Sequence, residues 1–230
     1  AGAACRQIYA DGVAIDRHAR HIPAHTFDFE QYRDFKTRNT SPSTYGTKIK
    51  RSILFLDQGF TTHPDRYLNP HGAPISVEGT YSPIIRFLES CEQRFMMRAV
   101  VAPHPKVQID ETKKIFANVH VGSDSTLELI QRAEIVVAHS STAVQWAILL
   151  EKPLLLISTT ELEETRLSQK VQGIARALDI QVTVLAPNKI SVPKYPAGLC
   201  DRAYKDYVHN YVKEEESPKN SLAQILIDNL

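Results

Sequence analysis

The sequence predicts an α/β protein with a doubly wound, parallel sheet of about six strands. Three observations lead to this fold class. Short apolar runs recur along the chain beyond residue 50. The runs lack the polar alternation of a half-exposed strand, so each is expected to be buried on both faces. Segments of helical length separate the runs, and helices between parallel strands form right-handed crossovers.

Each predicted strand is a short run composed mainly of aliphatic or aromatic residues, and most runs are rich in β-branched side chains. In chain order the predicted strands are Ile53–Leu56, Ala99–Ala102, Val119–Val121, Ile135–Ala138, Leu154–Ile157 and Val182–Leu185. Pro103 and Gly122 end the second and the third strand, because both residues interrupt regular structure.

The predicted helices are marked by caps and by apolar residues at helical spacing. Pro83 suits the first turn of a helix over Tyr81–Phe95, and Ser125 caps a helix that runs to Ala133. Further helices are predicted from Ser140 to Leu150, from near Thr160 to Leu178 with a capping box completed by Glu163, from Asp201 to Glu214, and from Ser217 to Leu230.

The composition is that of an ordinary globular chain, with 43% hydrophobic and 23% charged residues among 230. Lys and Arg number 27 against 26 Asp and Glu, a net charge of +1 that argues against nucleic acid as a partner. An anionic ligand therefore requires a local site. The three cysteines are far apart and are interpreted as reduced thiols, which favours a cytoplasmic location.

Polar residues follow four of the predicted strands, at the end where ligands bind in open α/β sheets. A hydrophobic core would exclude them, so their convergence is the strongest functional signal in the sequence. The candidate site residues are Asp57 and His63 after the first strand, His104 and Lys106 after the second, His139, Ser140, Ser141 and Thr142 after the fourth, and Thr159 and Glu161 after the fifth.

The turn of residues 139–142 has two interpretations. Hydroxyls and free N–H groups at a helix start form an anion site, which favours a phosphate. The alternative is a serine helix cap with hydroxyls bonded locally. His104 is held between two prolines and could donate to a phosphate or a base edge, or it could be a structural histidine.

The acidic candidates also keep their alternatives. Asp57 could be a catalytic carboxylate, a turn cap or a partner of His63. Glu161 could contact a ribose or the donor sugar, or it could simply be favoured by the helix dipole. The histidines His18, His21 and His25 lack the carboxylates and cysteines of a metal site, and no metal is expected.

Several motifs in this order resemble a known family. They are Ala102-Pro103-His104-Pro105 after a strand, His139-Ser140-Ser141-Thr142 before a helix, and Phe55-Leu56-Asp57-Gln58-Gly59-Phe60 with His63-Pro64-Asp65. The chain resembles the donor-binding, Rossmann-like half of GT-B glycosyltransferases, over about residues 50–190. More narrowly, it is similar to bacterial capsule and lipopolysaccharide biosynthesis proteins with HP and SS/ST motifs, the sialyl- and Kdo-transferase groups that use CMP-activated sugars.

The resemblance implies that His104 contacts the nucleotide and that Ser140 and Ser141 hold its phosphate. It implies transfer of a sugar to a glycan or lipid-linked acceptor, with a CMP-linked sugar among the donors that fit. No GxGxxG and no DxD-like pair follows a predicted strand, so no dinucleotide cofactor and no metal are expected. Residues 1–50 would be the remnant of an N-terminal acceptor domain plus a linker, and residues 51–230 the nucleotide-sugar domain with closing helices. The expected location is cytoplasmic or at the inner face of the membrane.

Two other function classes stay open from the sequence. One is a non-catalytic nucleotide-sugar-binding module that needs a partner subunit. The other is a nucleotide-sugar epimerase or a glycerophosphotransferase of similar fold. Turnover of a nucleotide sugar would separate an enzyme from a binding module.

Overall fold

A computed structural model describes residues 22–38, 51–62, 75–195 and 201–229. The chain divides into two compact units, one of Ala1–Lys48 with Cys200–Leu230 and one of Ile49–Leu199. The second unit, the sheet unit, contains all the predicted strands. The division into an acceptor-domain remnant and a sugar-binding domain at residue 50 stays a prediction.

The sheet unit contains six strands that pair in parallel throughout. They are β1 Ser52–Leu56, β2 Arg98–Ala102, β3 His120–Val121, β4 Ile135–Ala138, β5 Leu154–Thr159 and β6 Val182–Leu185. Their order across the sheet is β3-β2-β1-β4-β5-β6. The predicted doubly wound, Rossmann-like fold is confirmed, and every predicted strand is present.

The two central strands are buried on both faces, as their unbroken apolar sequences predict. Every residue of Ile53–Leu56 and of Ile135–Ala138 is at most 1% exposed. Helices cover both faces of a parallel sheet, so neither face of such a strand meets water. The carboxyl ends of these two strands therefore emerge side by side from a rigid, dry support.

The helices of the described residues fall into the two units. They are α1 Phe27–Arg38, α2 Ser82–Phe95, α3 Ile109–Ile115, α4 Thr126–Arg132, α5 Val144–Leu149, α6 Thr160–Glu163, α7 Leu167–Leu178, α8 Asp201–Tyr207 and α9 Leu222–Ile227. A π-helical turn over Val77–Tyr81 leads directly into α2. The capping residue predicted for α4 is correct, since Ser125 and Glu128 form a full capping box. None of these helices has the length and apolar character needed to span a bilayer.

Two of the helix predictions are wrong. Helix α5 begins at Val144 and not at Ser140, because residues 139–143 form bends and a turn. The single helix predicted from Thr160 to Leu178 is two helices. Thr165 separates them: its hydroxyl donates to the Leu162 carbonyl that ends α6 and accepts from the Leu167 N–H that begins α7. The N-terminal cap of α6 is Thr159, so the predicted capping box with Glu163 is also wrong.

The unit formed by the two ends of the chain is described only in part. Its helix α1 was not predicted, and its last two residues lie in the predicted linker 37–50, of which residues 39–50 fall outside the described residues. The helices predicted over 201–214 and 217–230 are shorter, because α8 passes into a second π-helical turn at Val208 and α9 covers six residues. His25 is fully buried here and pairs with the Ser217 hydroxyl at 2.9 Å.

Candidate functional site

The sheet has its switch point between β1 and β4. From β1 the chain winds outward through β2 and β3, and then returns to β4 on the other side of β1. Crossovers on either side of such a point leave in opposite directions, which opens a crevice beyond the carboxyl ends of the two strands. Asp57 follows β1, and His139 follows β4. Two of the predicted site residues therefore border the crevice.

Asp57 is buried directly after β1, with an exposed fraction of 4%. Its Oδ1 accepts a hydrogen bond from the Gly59 N–H at 3.0 Å and another from the Tyr81 hydroxyl at 3.0 Å. Gly59 has a φ of 59°, a conformation that glycine adopts without strain. Burial raises the pKa of Asp57 from 3.8 to about 6, although hydrogen bonds from Gly59, Tyr81 and Gln58 lower it.

Three aromatic rings connect Asp57 with the end of β4. The Tyr81 ring packs on Phe60 with 6.0 Å between centroids, and Phe60 packs edge-on against His139 at 5.4 Å. His139 Nδ1 lies 2.9 Å from the Ser140 hydroxyl. Asp57, Phe60, Tyr81, His139 and Ser140 thus form one contiguous group, here called the switch-point cluster.

His139 is 1% exposed, and burial lowers its pKa to about 4, so the ring is neutral at physiological pH. When Nδ1 accepts from Ser140, the ring proton is on Nε2, and Nε2 has no hydrogen-bond partner. A buried donor without a partner is rare in folded proteins and is a place for a water or a ligand atom.

Buried polar atoms without a partner gather at this edge of the sheet. Among the described residues they include Thr61 Oγ1, Thr62 Oγ1, His139 Nε2 and Ser158 Oγ, at or after the ends of β1, β4 and β5. These atoms are hydroxyl or imidazole groups, so they suit a hydroxylated or phosphorylated ligand more than an apolar one. The edge of the sheet predicted as a site therefore has unused hydrogen-bonding capacity.

The remaining serine and threonine of the predicted phosphate turn lie beside the cluster. Ser141 is 7% exposed, and its hydroxyl accepts from the Ala143 N–H at 3.3 Å. Thr142 is exposed. The hydroxyls thus belong to the turn before α5 and not to the first turn of the helix. Whether the turn holds a phosphate stays a prediction.

The predicted nucleotide contacts after β2 lie one strand away. The Asp57 N–H donates to the Ala102 carbonyl at 3.0 Å, which ties the ends of β1 and β2 together. His104 is half-buried, and its Nδ1 accepts from the Lys106 N–H at 3.2 Å in a local turn. Lys106 is exposed. His63, predicted as catalytic with Asp57, lies outside the described residues.

The two candidates after β5 make contacts within the chain. The Thr159 hydroxyl accepts from the Leu162 N–H and caps α6. The Glu161 carboxylate accepts hydrogen bonds from the Ser76 N–H and hydroxyl and from the Thr80 hydroxyl. Their predicted role as donor-sugar or ribose contacts stays a prediction.

Sequence reasoning missed Tyr81 and Phe60. The sequence predicts for Tyr81 only the start of an apolar helix, and the residue lies 24 positions from Asp57 along the chain. Nothing local in a sequence indicates that a tyrosine hydroxyl meets a distant carboxylate. Across the described ranges, no group of three His, Cys, Asp or Glu side chains could hold a metal ion.

Replacing Asp57 by asparagine should stabilise the sheet unit at neutral pH. The folded chain binds the Asp57 proton more tightly than the unfolded chain, since its pKa rises from 3.8 to about 6. The contribution of the group to stability is complete below pH 3.8 and is lost as pH rises through about 6. The asparagine amide keeps an acceptor oxygen and avoids the buried charge, a gain on the order of 2–3 kcal/mol at pH 7.5.

The fluorescence of Trp146, the single tryptophan, reports thermal unfolding of this unit. We expect Asp57→Asn to melt roughly 5 °C above wild type at pH 7.5 and at the wild-type temperature at pH 4. Burial lowers the pKa of His139, so the stability that its neutral ring contributes is lost as pH falls from 6.5 to about 4. This loss is the same in wild type and in Asp57→Asn, so it cancels when their melting temperatures are compared. The control Asp110→Asn, at a carboxylate 81% exposed, should change neither value. A variant that melts below wild type at pH 7.5 would contradict the assignment of a buried charge.

The fold and its switch point define the class of protein: a doubly wound α/β domain with unpartnered, buried polar atoms at the carboxyl edge of its sheet. No protein-family model matches this chain, and no curated protein does.

The chain is similar to several solved structures, three of which are the following. One is the KpsC β-Kdo 2,7-transferase of Thermosulfurimonas dismutans, at 14% identity over 79% of this chain and 51% of that chain, with a TM-score of 0.38. Another is the UDP-GlcNAc 2-epimerase of Methanocaldococcus jannaschii, at 12% identity over 76% of this chain and 47% of that chain, with a TM-score of 0.37. A third is the ADP-heptose heptosyltransferase II of E. coli, at 10% identity over 87% of this chain and 53% of that chain, with a TM-score of 0.34.

The chain spans about half the length of these structures. By name they are two transferases and an epimerase. At TM-scores this low they do not add to what the chain's own residues support.

Proposed function

We propose that the sheet unit binds a nucleotide-activated sugar at the switch point and is the donor side of a glycosyltransferase. The observation that carries this proposal is the set of unpartnered buried polar atoms at the ends of β1, β4 and β5. Ligands of doubly wound sheets bind at this edge. The motif resemblance supports a CMP-linked donor, and a bacterial surface glycan or its lipid-linked precursor as the acceptor.

In the proposed complex the nucleotide phosphate lies against the turn after β4. Ser141 donates its hydroxyl to it, and Ser140 does the same when the His139 Nδ1–H, rather than the Ser140 hydroxyl, is the donor in the bond between those two side chains. His104 contacts the nucleotide from the end of β2. Such donors stabilise the negative charge that builds up on the phosphate as it leaves the sugar. Fixed donors on rigid strand ends need no reorganisation during the reaction.

Asp57 is proposed to be the general base. The acceptor hydroxyl transfers its proton to the Asp57 carboxylate, its oxygen bonds to the sugar carbon, and the bond from that carbon to the phosphate oxygen breaks. A carboxyl whose burial raises the pKa to about 6 is still largely ionised at pH 7 and is more basic than an exposed one. A water-poor site also strengthens its attraction for the proton.

Replacement of His104 tests the proposed site. His104→Ala should weaken binding of CMP or another accepted nucleotide by about 3- to 10-fold, the loss of one hydrogen bond. The melting temperature should stay within about 1 °C of wild type, because the half-buried ring fills no core position. Isothermal titration calorimetry measures the affinity.

The matched control is His120→Ala, which removes an exposed histidine from β3 of the same sheet. This variant should bind nucleotide as the wild type does. If His104→Ala binds with unchanged affinity, or unfolds several degrees earlier with binding intact, His104 is a structural residue.

A further inference from the structure

The helix that carries Tyr81 starts with a π-helical turn. Residues Val77–Tyr81 form this turn, and the Ser82 N–H closes it by donating to the Val77 carbonyl. Pro83 follows at the start of α2. It has no N–H for the carbonyl of Gly79 four residues earlier, and its ring crowds that carbonyl, which favours a wider turn. Turns of this kind often occur at functional sites.

One carboxylate holds the start of this turn. Glu161 Oε2 accepts from the Ser76 N–H at 3.0 Å and from the Thr80 hydroxyl at 2.5 Å. Its Oε1 accepts from the Ser76 hydroxyl at 2.9 Å. Hydrogen bonds to an ionised group are stronger than those between neutral groups. Glu161 and its three donors therefore form a firm attachment between α6 and the turn.

Gly79 makes room for this attachment. A Cβ at position 79 would lie 2.8 Å from the Glu161 carboxyl carbon and 2.8 Å from its Oε1. That distance is closer than atoms of real side chains approach, so any larger residue would displace the carboxylate. The sequence of the turn is thus matched to the position of Glu161.

Tyr81 is the residue next to Thr80, and its hydroxyl reaches Asp57. The side chain is fully buried and packs on Phe60 and Phe116, with centroid distances of 6.0 and 5.3 Å. Its hydroxyl donates to Asp57 Oδ1 at 3.0 Å. Neighbouring residues of one turn are therefore bonded to Glu161 on one side and to Asp57 on the other.

We propose that Glu161 is a positioning residue, which acts through the π-helical turn to hold the Tyr81 hydroxyl on Asp57. The inference rests on the proposed function only for the catalytic role of Asp57. Hydrogen bonding to a carboxylate favours its ionised form. Glu161 and Tyr81 together thus keep a buried acid available as a base at physiological pH.

The pKa of Asp57 provides the test, because the proposal and direct electrostatics predict opposite signs. Glu161→Gln removes a negative charge, and the field of that charge alone would lower the pKa of Asp57. If Glu161 acts through the turn, the Tyr81 bond weakens and the pKa of Asp57 rises. Tyr81→Phe should raise it by roughly one pKa unit, and Glu161→Gln should raise it in the same direction.

Carbon-13 NMR of aspartate-labelled protein measures this pKa, with the Asp57 signal assigned by its loss in Asp57→Asn. Tyr81, which donates to Asp57, and His139, reached through Phe60, are the titratable neighbours of Asp57 in the cluster. The control Glu164→Gln removes an exposed carboxylate from the end of the same short helix and should leave the pKa of Asp57 unchanged. Gly79→Ala should raise it, as Glu161→Gln does.

The double variant Glu161→Gln/Tyr81→Phe completes the test. Once the Tyr81 hydroxyl is gone, replacing Glu161 should have no further effect on the pKa of Asp57. A lower pKa in Glu161→Gln, or equal effects of this change with and without the hydroxyl, would overturn the proposal. So would weaker nucleotide binding in Glu161→Gln with an unchanged Asp57 titration, which would make Glu161 a ligand contact. The NMR titration uses no nucleotide, so failure of the proposed function would leave its outcome intact.

Discussion

Sugar transfer by the full protein should fall at least about 100-fold when Asp57 is replaced by asparagine, because an amide cannot take the acceptor proton. Nucleotide affinity should change less than about twofold, since the asparagine side chain keeps an acceptor for Gly59 and Tyr81. Release of the free nucleotide from its activated sugar measures transfer, and calorimetry on the same preparation measures affinity.

Measuring transfer and nucleotide affinity on the same variant separates a loss of catalysis from a loss of folded protein. Asp57→Asn is expected to be at least as stable as wild type at neutral pH, so a loss of transfer cannot come from unfolding. Asp110→Asn, at an exposed carboxylate of the same unit, should transfer at the wild-type rate. Transfer within a few-fold of wild type by Asp57→Asn would remove Asp57 from the reaction.

Replacing both Ser140 and Ser141 by alanine should weaken nucleotide binding by about 1–3 kcal/mol, or roughly 5- to 150-fold. Each hydroxyl is proposed to donate to the phosphate, and hydrogen bonds to a charged group are the stronger kind. The fold should lose only about 1 kcal/mol, because the local partners are the His139 ring and the Ala143 N–H.

The matched control is Ser90→Ala, since the Ser90 hydroxyl donates to the Arg86 carbonyl within α2 and lies on no strand end. It should bind nucleotide normally. Calorimetry of the double variant with the nucleotide that wild type binds best measures the loss. Unchanged affinity would mean that the turn after β4 only ends a strand and starts a helix.

The two central strands could be predicted because their burial on both faces determines their sequences, unlike the edge strands β3 and β6, which are partly exposed. Ile53–Leu56 and Ile135–Ala138 have no polar residue, and only the interior of a covered parallel sheet accommodates such runs. The end of β5 could not be predicted in the same way. Ser158 and Thr159 look like loop residues, but they extend the strand because Val184 and Leu185 of β6 are there to pair with them.

Helix boundaries depend on competition between local hydrogen bonds. Ser140 has the residue type of a cap, but its hydroxyl pairs with His139, and helical structure begins only at Val144. Thr165 divides the long predicted helix because its hydroxyl serves both neighbouring ends. Helix α1 could not be detected, since none of its residues is fully buried and no apolar periodicity marks it.

Part of the candidate site follows from chain order, and part does not. That Asp57, His139 and Ser140 lie together could be predicted, because the carboxyl ends of parallel strands share one edge. Tyr81 joins them from 24 residues away, and Glu161 meets Ser76 across 85 residues. Such contacts depend on how helices pack over the sheet, and no spacing in the sequence encodes them.

The most direct test of the central claim is calorimetric titration of this chain with CMP, UDP and GDP and with their activated sugars. We predict that one of these nucleotides binds at a single site with a Kd below about 1 mM, and that Ser140→Ala/Ser141→Ala weakens that binding. A folded chain that binds none of them at millimolar concentration, or binds one with an affinity that the serine variant leaves unchanged, would contradict a nucleotide-sugar site at the switch point.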